Sequence, residues 1–440
     1  MNEEVRQAGP TAGRGEGGRK RADRDDHANR TDQAGRADRT DQATGPAAKE
    51  ADRPHDVVLF GATGFVGALT AEYLAANAPA GCRWALAGRD PAKLQRLRDR
   101  LTALHPAAAD VPLLQADASD PAAVRELAAA TRVLATTVGP YVLYGGEIVA
   151  ACAASGTDYV DLTGEPEFVD RTYVLHDARA RETGARLVHA CGFDSVPADL
   201  GAYFTVAQLP RDVPLRVDGF MRSNALFSGG TLASALTAMG RAPQTLAAAR
   251  ERRLHEHRLP GRRVRGPVGV PRFSRETGTW ALPLPSLDPR IVTRSAAALD
   301  RYGPDFRYRH YASVKHLPFA LCGTAAVGAT AALAQLPPAR QWLMDLWEPG
   351  RGPDAERRAR SWFTVRFVGE GGGRRVLTEV SGGDPGYGET AKMLAESALC
   401  LAFDALPQRA GQLTTAVAMG DSLLDRLQKA GIRFRVASAR

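Results

Sequence analysis

The segment DVVLFGATGFVG at 56–67 is a short apolar run followed by glycines at 61, 64 and 67, and it leads into the helical stretch ALTAEYLAANA at 68–78. A buried strand, a tight turn and a helix in that order admit few folds. Glycines let the chain reverse steeply and let a pyrophosphate reach the N–H groups of the helix N-terminus, where the helix dipole favours an anion. Gly61, Ala62, Thr63, Gly64, Phe65, Val66 and Gly67 are therefore the candidate phosphate cradle. The spacing is GxxGxxG instead of the strict GxGxxG, so the strand–turn–helix context carries more of the assignment than the glycines do.

A second apolar run, CRWALAG at 82–88, ends in Gly88-Arg89. An NAD-binding protein carries an acidic residue at this point for the ribose 2′-OH, whereas an arginine suits a 2′-phosphate, so the expected cofactor is NADP(H), with Lys93 as a second cation. Further units follow: VPLLQADASD (111–120), with Asp117 placed to reach the adenine, RVLATTVGPY (132–141), TDYVDLTGE (157–165) and ARLVHACGFDSVP (185–197). Strands alternating with helices imply an α/β Rossmann-type, doubly wound parallel sheet with its ligand at the carboxyl ends of the strands. Val138, Gly139, Pro140 and Tyr141, after the fourth strand, join the cofactor set. Thr136, Thr137, Glu165, Asp194 and Ser195 also fall at strand ends, and Asp194 and Ser195 read equally well as a turn former and a helix cap.

At 440 residues the chain needs more than one domain. Residues 1–54 hold eleven Lys/Arg against eleven Asp/Glu and, alanine apart, only Met1 and Val5 as apolar side chains, so they read as a disordered tail. Residues 55–200 form the expected nucleotide-binding domain. Residues 201–383 form a second α/β domain with a mixed or antiparallel sheet, including a strand at 215–223, a helix at 231–240 and a hairpin at 362–383. Residues 384–440 are expected to pack back on the first domain as helices and a strand. Nearly all of the net charge of +8 resides at 250–275, where nine arginines face two glutamates. Its prolines and glycines suggest an exposed loop that docks an acidic carrier protein or an anionic membrane surface; without interleaved aromatics, nucleic acid is not expected. The uncharged stretch 317–339 is short and rich in Ala and Gly, and suits a core helix or the wall of an acyl channel better than a membrane span. Five scattered cysteines and the absence of an apolar leader point to a cytoplasmic protein, peripheral membrane contact aside, with no disulfide framework and no metal site.

The composite GATGFVG…LAGRDPAKL…TTVGPYVLYGGEIVAACAASGTDYVDLTGE…HACGFDSVPADLGAYF resembles the saccharopine dehydrogenase-like oxidoreductases, and within them the trans-acting enoyl reductase branch. The likeness continues through FSGGTLASAL (227–236), DPRIVTRSAAAL (288–299), GDPGYGETAKMLAESALCLA (383–402) and the segment at 413–434, so it spans most of 55–436. It implies a Rossmann domain, a substrate domain, NADPH as cofactor, and reduction of a carbon–carbon double bond in a polyketide or lipid intermediate held by another protein. LTTA at 413–416 departs from the LTPA expected in the branch.

Enone reduction requires a hydrogen-bond donor at the carbonyl oxygen and a proton for the α-carbon. By position, Tyr141 and Tyr144 are the nearest donors, with Tyr144 the candidate acid. A YxxxK match, Tyr311 to Lys315, lies too far from the glycines to belong to a short-chain dehydrogenase. Two other readings remain: a saccharopine-type amino-acid dehydrogenase, with Arg222 clamping a carboxylate, and an NADP(H) sensor without turnover. A homodimer is a further expectation.

Overall fold

The computed structural model describes residues 53–225, 236–256, 261–284, 286–336, 338–339, 342–343 and 352–439. Most of the tail, the FSGG stretch with the first half of the helix at 231–240, and residues 257–260 lie outside them.

The first half alternates β1 (His55–Phe60), α1 (Phe65–Asn77), β2 (Trp84–Gly88), α2 (Pro91–Leu104), β3 (Leu113–Gln115), α3 (Pro121–Ala129), β4 (Thr131–Thr136), α4 (Tyr141–Ser155), β5 (Asp158–Asp161), α5 (Pro166–Thr183), β6 (Arg186–Val188) and α6 (Val196–Val206). All strand pairs are parallel, in the order β6-β5-β4-β1-β2-β3. Helices on both faces explain why β1, β2 and β4 are nearly unbroken apolar runs. The order reverses between β4 and β1, and the crevice at that switch point opens at the ends of these two strands.

The second half supplies β7 (Leu215–Ser223), α7 (Ala242–His255), β8 (Arg263–Arg265), β9 (Arg272–Ser274), β10 (Thr279–Pro283), α8 (Asp288–Ala298), β11 (Asp305–Val314), α9 (Leu317–Leu333), α10 (Ala355–Arg360), β12 (Phe363–Gly371) and β13 (Arg374–Gly382). It is completed by α11 (Gly388–Phe403), β14 (Gly411–Leu413), α12 (Thr415–Ala418), α13 (Gly420–Lys429) and β15 (Arg433–Ala439). The second sheet runs β15-β13-β12-β7-β11-β10-β9, with β8 also on β11. It is mixed: β11 is parallel to β7 and β8, and the remaining pairs are antiparallel. One apolar core joins Leu59 and Leu86 of the first sheet to Leu200 and Tyr203 of α6 and to Phe306, Tyr308 and Phe367 of the second.

Three expectations are corrected. The 250–275 segment is not a loop throughout, since it contains the end of α7 and the strands β8 and β9, although most of its described residues are exposed. Several of its arginines meet carboxylates: Arg252, 5 % exposed, pairs with Glu256 within the segment and with Asp170, Arg262 with Asp300, Arg265 with Asp305 and Arg272 with Asp218. Part of the local charge is therefore offset by ion pairs. The C-terminal segment does not pack on the first domain alone: β14 extends the first sheet beside β6, but β15 extends the second beside β13. Finally, most of the described residues of α9, among them Leu317, Ala325, Ala326 and Leu333, are exposed, so this part of the helix, which meets the ends of β10 and β11, is not buried in a core.

Candidate active site

The cradle is built by close approach. Gly61 turns with φ +85°, and a Cβ on Gly67 would lie 2.2 Å from the Gly61 carbonyl oxygen, so α1 can start where it does only with hydrogen at that position. The Thr137 hydroxyl donates to that same carbonyl, 3.0 Å away, and Val138 packs beside Gly61, which joins the turn after β1 to the loop after β4. Gly64, the residue that caps α1, offers no side-chain hydrogen bond to the helix. The first N–H groups of α1 are thus left for an anion.

Beside this turn, Thr63, Ala68, Lys93, Arg96, Leu97 and Arg100 line a cavity of about 170 Å³. Three cations and a hydroxyl next to a phosphate cradle match a 2′-phosphate. Lys93 is where the sequence placed it. Arg96 and Arg100 were missed, although their spacing along α2 puts them on the same side as Lys93. Arg89 is exposed at the end of β2, close enough to Asp117 to lower that carboxyl's pKa, although the Ser119 backbone and hydroxyl hydrogen bonds do more. Asp117 thus closes its own loop, with Oδ1 accepting from the Ser119 N–H and hydroxyl. Phe65 turns away from the cradle and packs edge-on against Tyr387, 4.8 Å between ring centroids.

The loop after β4 contains a cis Gly139–Pro140 bond and leads into α4. Here the helix N-terminus is already filled: Glu165, 2 % exposed, accepts from the N–H of Tyr141 at 3.0 Å and of Val142 at 2.8 Å. Tyr141 does not wall the crevice with its ring. It is buried against Phe168, and its hydroxyl donates to the Thr136 carbonyl and accepts from the Leu162 N–H. Tyr144, 43 % exposed on the first turn of α4, donates its N–H to the Pro140 carbonyl, while its hydroxyl has no hydrogen-bond partner among the described residues.

At the ends of β5 and β6, buried Asp161 accepts from the N–H groups of Thr163 and Ala190 and from the Tyr159 hydroxyl, and meets His189 Nδ1 at 2.7 Å. His189 continues to Thr172 and Gln412. This network fixes the two loops that bear Glu165 and Asp194. Asp194, in the loop after β6, is partly exposed. Burial and the Asp288 charge push its pKa up to about 7. Buried Asp288, from the second sheet's side, is likewise pushed to about 7 by burial, against the opposing effect of Ser286. Arg222, on β7, stacks over Trp362, 5.3 Å from the ring centroid. Tyr311 is a buried strand residue with no helix carrying Lys315 beside it.

A doubly wound sheet with a glycine cradle that has no side-chain cap and a cationic pocket beside it is the arrangement of an NADP(H)-binding oxidoreductase. Residues 57–188 match the saccharopine dehydrogenase NADP binding domain. A candidate trans-acting enoyl reductase of Mycobacterium tuberculosis is 40 % identical over 412 residues, covering 87 % of this chain and 97 % of the relative. The trans-acting enoyl reductase of Mycobacterium ulcerans is 38 % identical over 413 residues with the same coverage. The L-Glu-forming saccharopine dehydrogenase of Saccharomyces cerevisiae superposes with a TM-score of 0.52 at 12 % identity, over 87 % of this chain and 100 % of that one, which shows a shared fold. The chain belongs to the saccharopine dehydrogenase-like oxidoreductases and groups there with the trans-acting enoyl reductases.

Proposed function

We propose that the protein is an NADPH-dependent enoyl reductase acting on a lipid or polyketide intermediate presented by a carrier. The supporting observation is electrostatic: among the described residues no arginine or lysine ion-pairs with Asp194, in the loop after β6, or with Asp288, which meets His310, and Arg222 is engaged by Trp362. An amino-dicarboxylate would be repelled there, whereas a neutral acyl chain would not. The names of the relatives favour the same reaction.

The cradle, Lys93, Arg96 and Arg89 would hold NADPH, which would supply a hydride when bound. The chain's own residues then hold the acyl carbonyl and control the proton. In this reading Tyr144, whose hydroxyl is unengaged, hydrogen-bonds the carbonyl oxygen on which negative charge develops. Tyr144→Phe should lower turnover more than tenfold with NADPH affinity kept, as read by cofactor fluorescence.

The deciding experiment mixes the purified protein with NADPH and a panel of 2-enoyl thioesters and follows cofactor absorbance together with product mass. Consumption of NADPH with a mass gain of two hydrogens in the acyl group supports the reading. Stoichiometric binding with no consumption across the panel would instead favour a sensor. Arg89→Asp should weaken NADPH at least tenfold while leaving NADH binding within about threefold.

A further inference from the structure

The second sheet carries a row of arginines on the face turned away from the apolar core. Leu215, Val217, Phe306 and Tyr308 belong to that core, so the alternation of side chains along a strand puts Arg216 of β7 and Arg307 of β11 on the other face. Register brings them side by side: Arg307 is opposite Arg216 on β7 and opposite Arg265 on β8. One strand further on, Arg216 is opposite Glu370 on β12, and Glu370 is opposite Arg375 on β13. Like charges directly opposite one another on neighbouring strands are destabilising. Three arginines in adjacent register are therefore an unfavourable arrangement unless an anion lies among them.

Arg216, Arg265 and Arg307 line one cavity of about 310 Å³, together with Asp305 and Glu370. None of its lining residues belongs to the glycine cradle, to the cationic pocket along α2 or to the loops after β4, β5 and β6. Both carboxylates in the cavity are already engaged. The Asp305 oxygens accept from Arg265 Nη2 at 2.8 and 2.9 Å, and Glu370 is shared between Arg216 at 3.5 Å and Arg375 at 3.2 Å. Arg307 is left over: among the described residues no carboxylate pairs with it, and its buried Nε has no hydrogen-bond partner. Arg132, Arg272 and Arg294 also have one unbonded buried nitrogen, but each of them ion-pairs with a carboxylate. Two residues along β11 on the same face, Arg309 is held by Asp218. The fold thus neutralises the neighbouring row and leaves this one with three guanidinium groups against two carboxylates.

We propose that this cavity is a binding site for a phosphate group, with Arg307 as its central ligand and Arg216 and Arg265 flanking it. A guanidinium fork matches phosphate oxygens, and charge-assisted hydrogen bonds of this kind are the strong ones. A phosphate has enough acceptor oxygens to receive a bond from each of the three arginines, whereas a carboxylate has two. It supplies the counter-charge that Arg307 lacks and an acceptor for a donor that is costly to leave unpaired. Because the arginines come from three strands, occupancy ties β7, β8 and β11 together. The same chemistry serves free phosphate and a phosphate monoester on an organic ligand.

The probes are inorganic phosphate and glycerol phosphate, titrated separately into the full chain held in a slight excess of NADPH, at constant ionic strength set by sodium chloride. NADPH keeps the pocket along α2 filled, so the heat of binding and the melting temperature report on the second site. Wild type should bind a single equivalent saturably and melt at a higher temperature as the probe is added. Arg307→Gln should weaken binding about tenfold or more and abolish the melting shift, with NADPH affinity kept within about twofold as evidence that the chain has folded. Glu370→Gln removes a competing carboxylate and should tighten binding about threefold or more, a change that a damaged fold does not produce. Tighter binding of glycerol phosphate assigns the site to a phosphate monoester, and tighter binding of inorganic phosphate assigns it to the free ion. Absence of saturable binding of either probe, an Arg307→Gln affinity within about twofold of wild type, or weaker binding by Glu370→Gln overturns the site.

Discussion

Gly67 shows how little freedom the cofactor site has. A methyl group there meets the Gly61 carbonyl oxygen at 2.2 Å, a backbone atom that cannot step aside without moving α1. Gly67→Ala should therefore abolish measurable NADPH binding and lower the melting temperature by several degrees, read by cofactor titration and calorimetry. This residue was legible in the sequence, because a glycine between a strand and a helix has few other uses. Tyr141 was not: a tyrosine after a strand reads the same whether its ring faces the crevice or the core, and Phe168, far along the chain, decides it. Asp194 was ambiguous for a related reason, since the burial that raises its pKa is set by chain folded around it from elsewhere. Thr415 explains the LTTA departure. Its hydroxyl donates to buried Asp199 at 2.7 Å, a bond proline cannot make. Thr415→Val should cost about 1–2 kcal/mol of stability in denaturant melts.

At the scale of elements, two helix starts face the switch point and are treated oppositely. The N-terminus of α4 is closed by Glu165, whereas that of α1 has only a glycine cap. Glu165→Ala would leave two buried N–H groups without an acceptor and cost about 2–3 kcal/mol. Because α4 carries the loop that braces Gly61, the same change should also weaken NADPH binding severalfold in a fluorescence titration. The alternation of strands and helices was readable through β6, since each strand is an apolar run of the right length. The arginine-rich segment was not, because its counter-charges at Asp170, Asp218, Asp300 and Asp305 are distant in sequence. Its prolines and glycines spoke for a loop when considered without them. For α9 an uncharged stretch suggests burial, yet most of its described residues are exposed.

Over the whole molecule, carboxyl groups pull the pH dependence of stability in two directions. Asp56 and Glu379 are buried and Asp404 is partly buried, which raises their pKa values, but hydrogen bonds from Arg83, from Arg366 and Arg435, and from Arg426 outweigh that and lower them. Their contribution is present above the ordinary carboxylate range and is lost as the pH falls below it. Asp194, Asp288 and Asp199 behave oppositely, with burial raising them to about 7, 7 and 6. Between their ordinary value near 4 and those raised values the unfolded chain releases protons that the folded chain keeps, so stability falls as the pH rises through that window. The wild type should melt at a lower temperature at pH 8 than at pH 5, and Asp194→Asn should show a smaller difference between the two. A larger difference in the variant would contradict the sign.

The path of the last strands has a consequence for synthesis. The helix α11 covers the first sheet at β1, β4 and β5, yet it ends only at Phe403, and β14 and β15 then close one edge of each sheet. The nucleotide-binding half, although first to leave the ribosome, must wait with an apolar face bare until roughly four hundred residues have been made. A nascent chain of this protein is thus a prolonged client for chaperones, and neither half is expected to mature without the other.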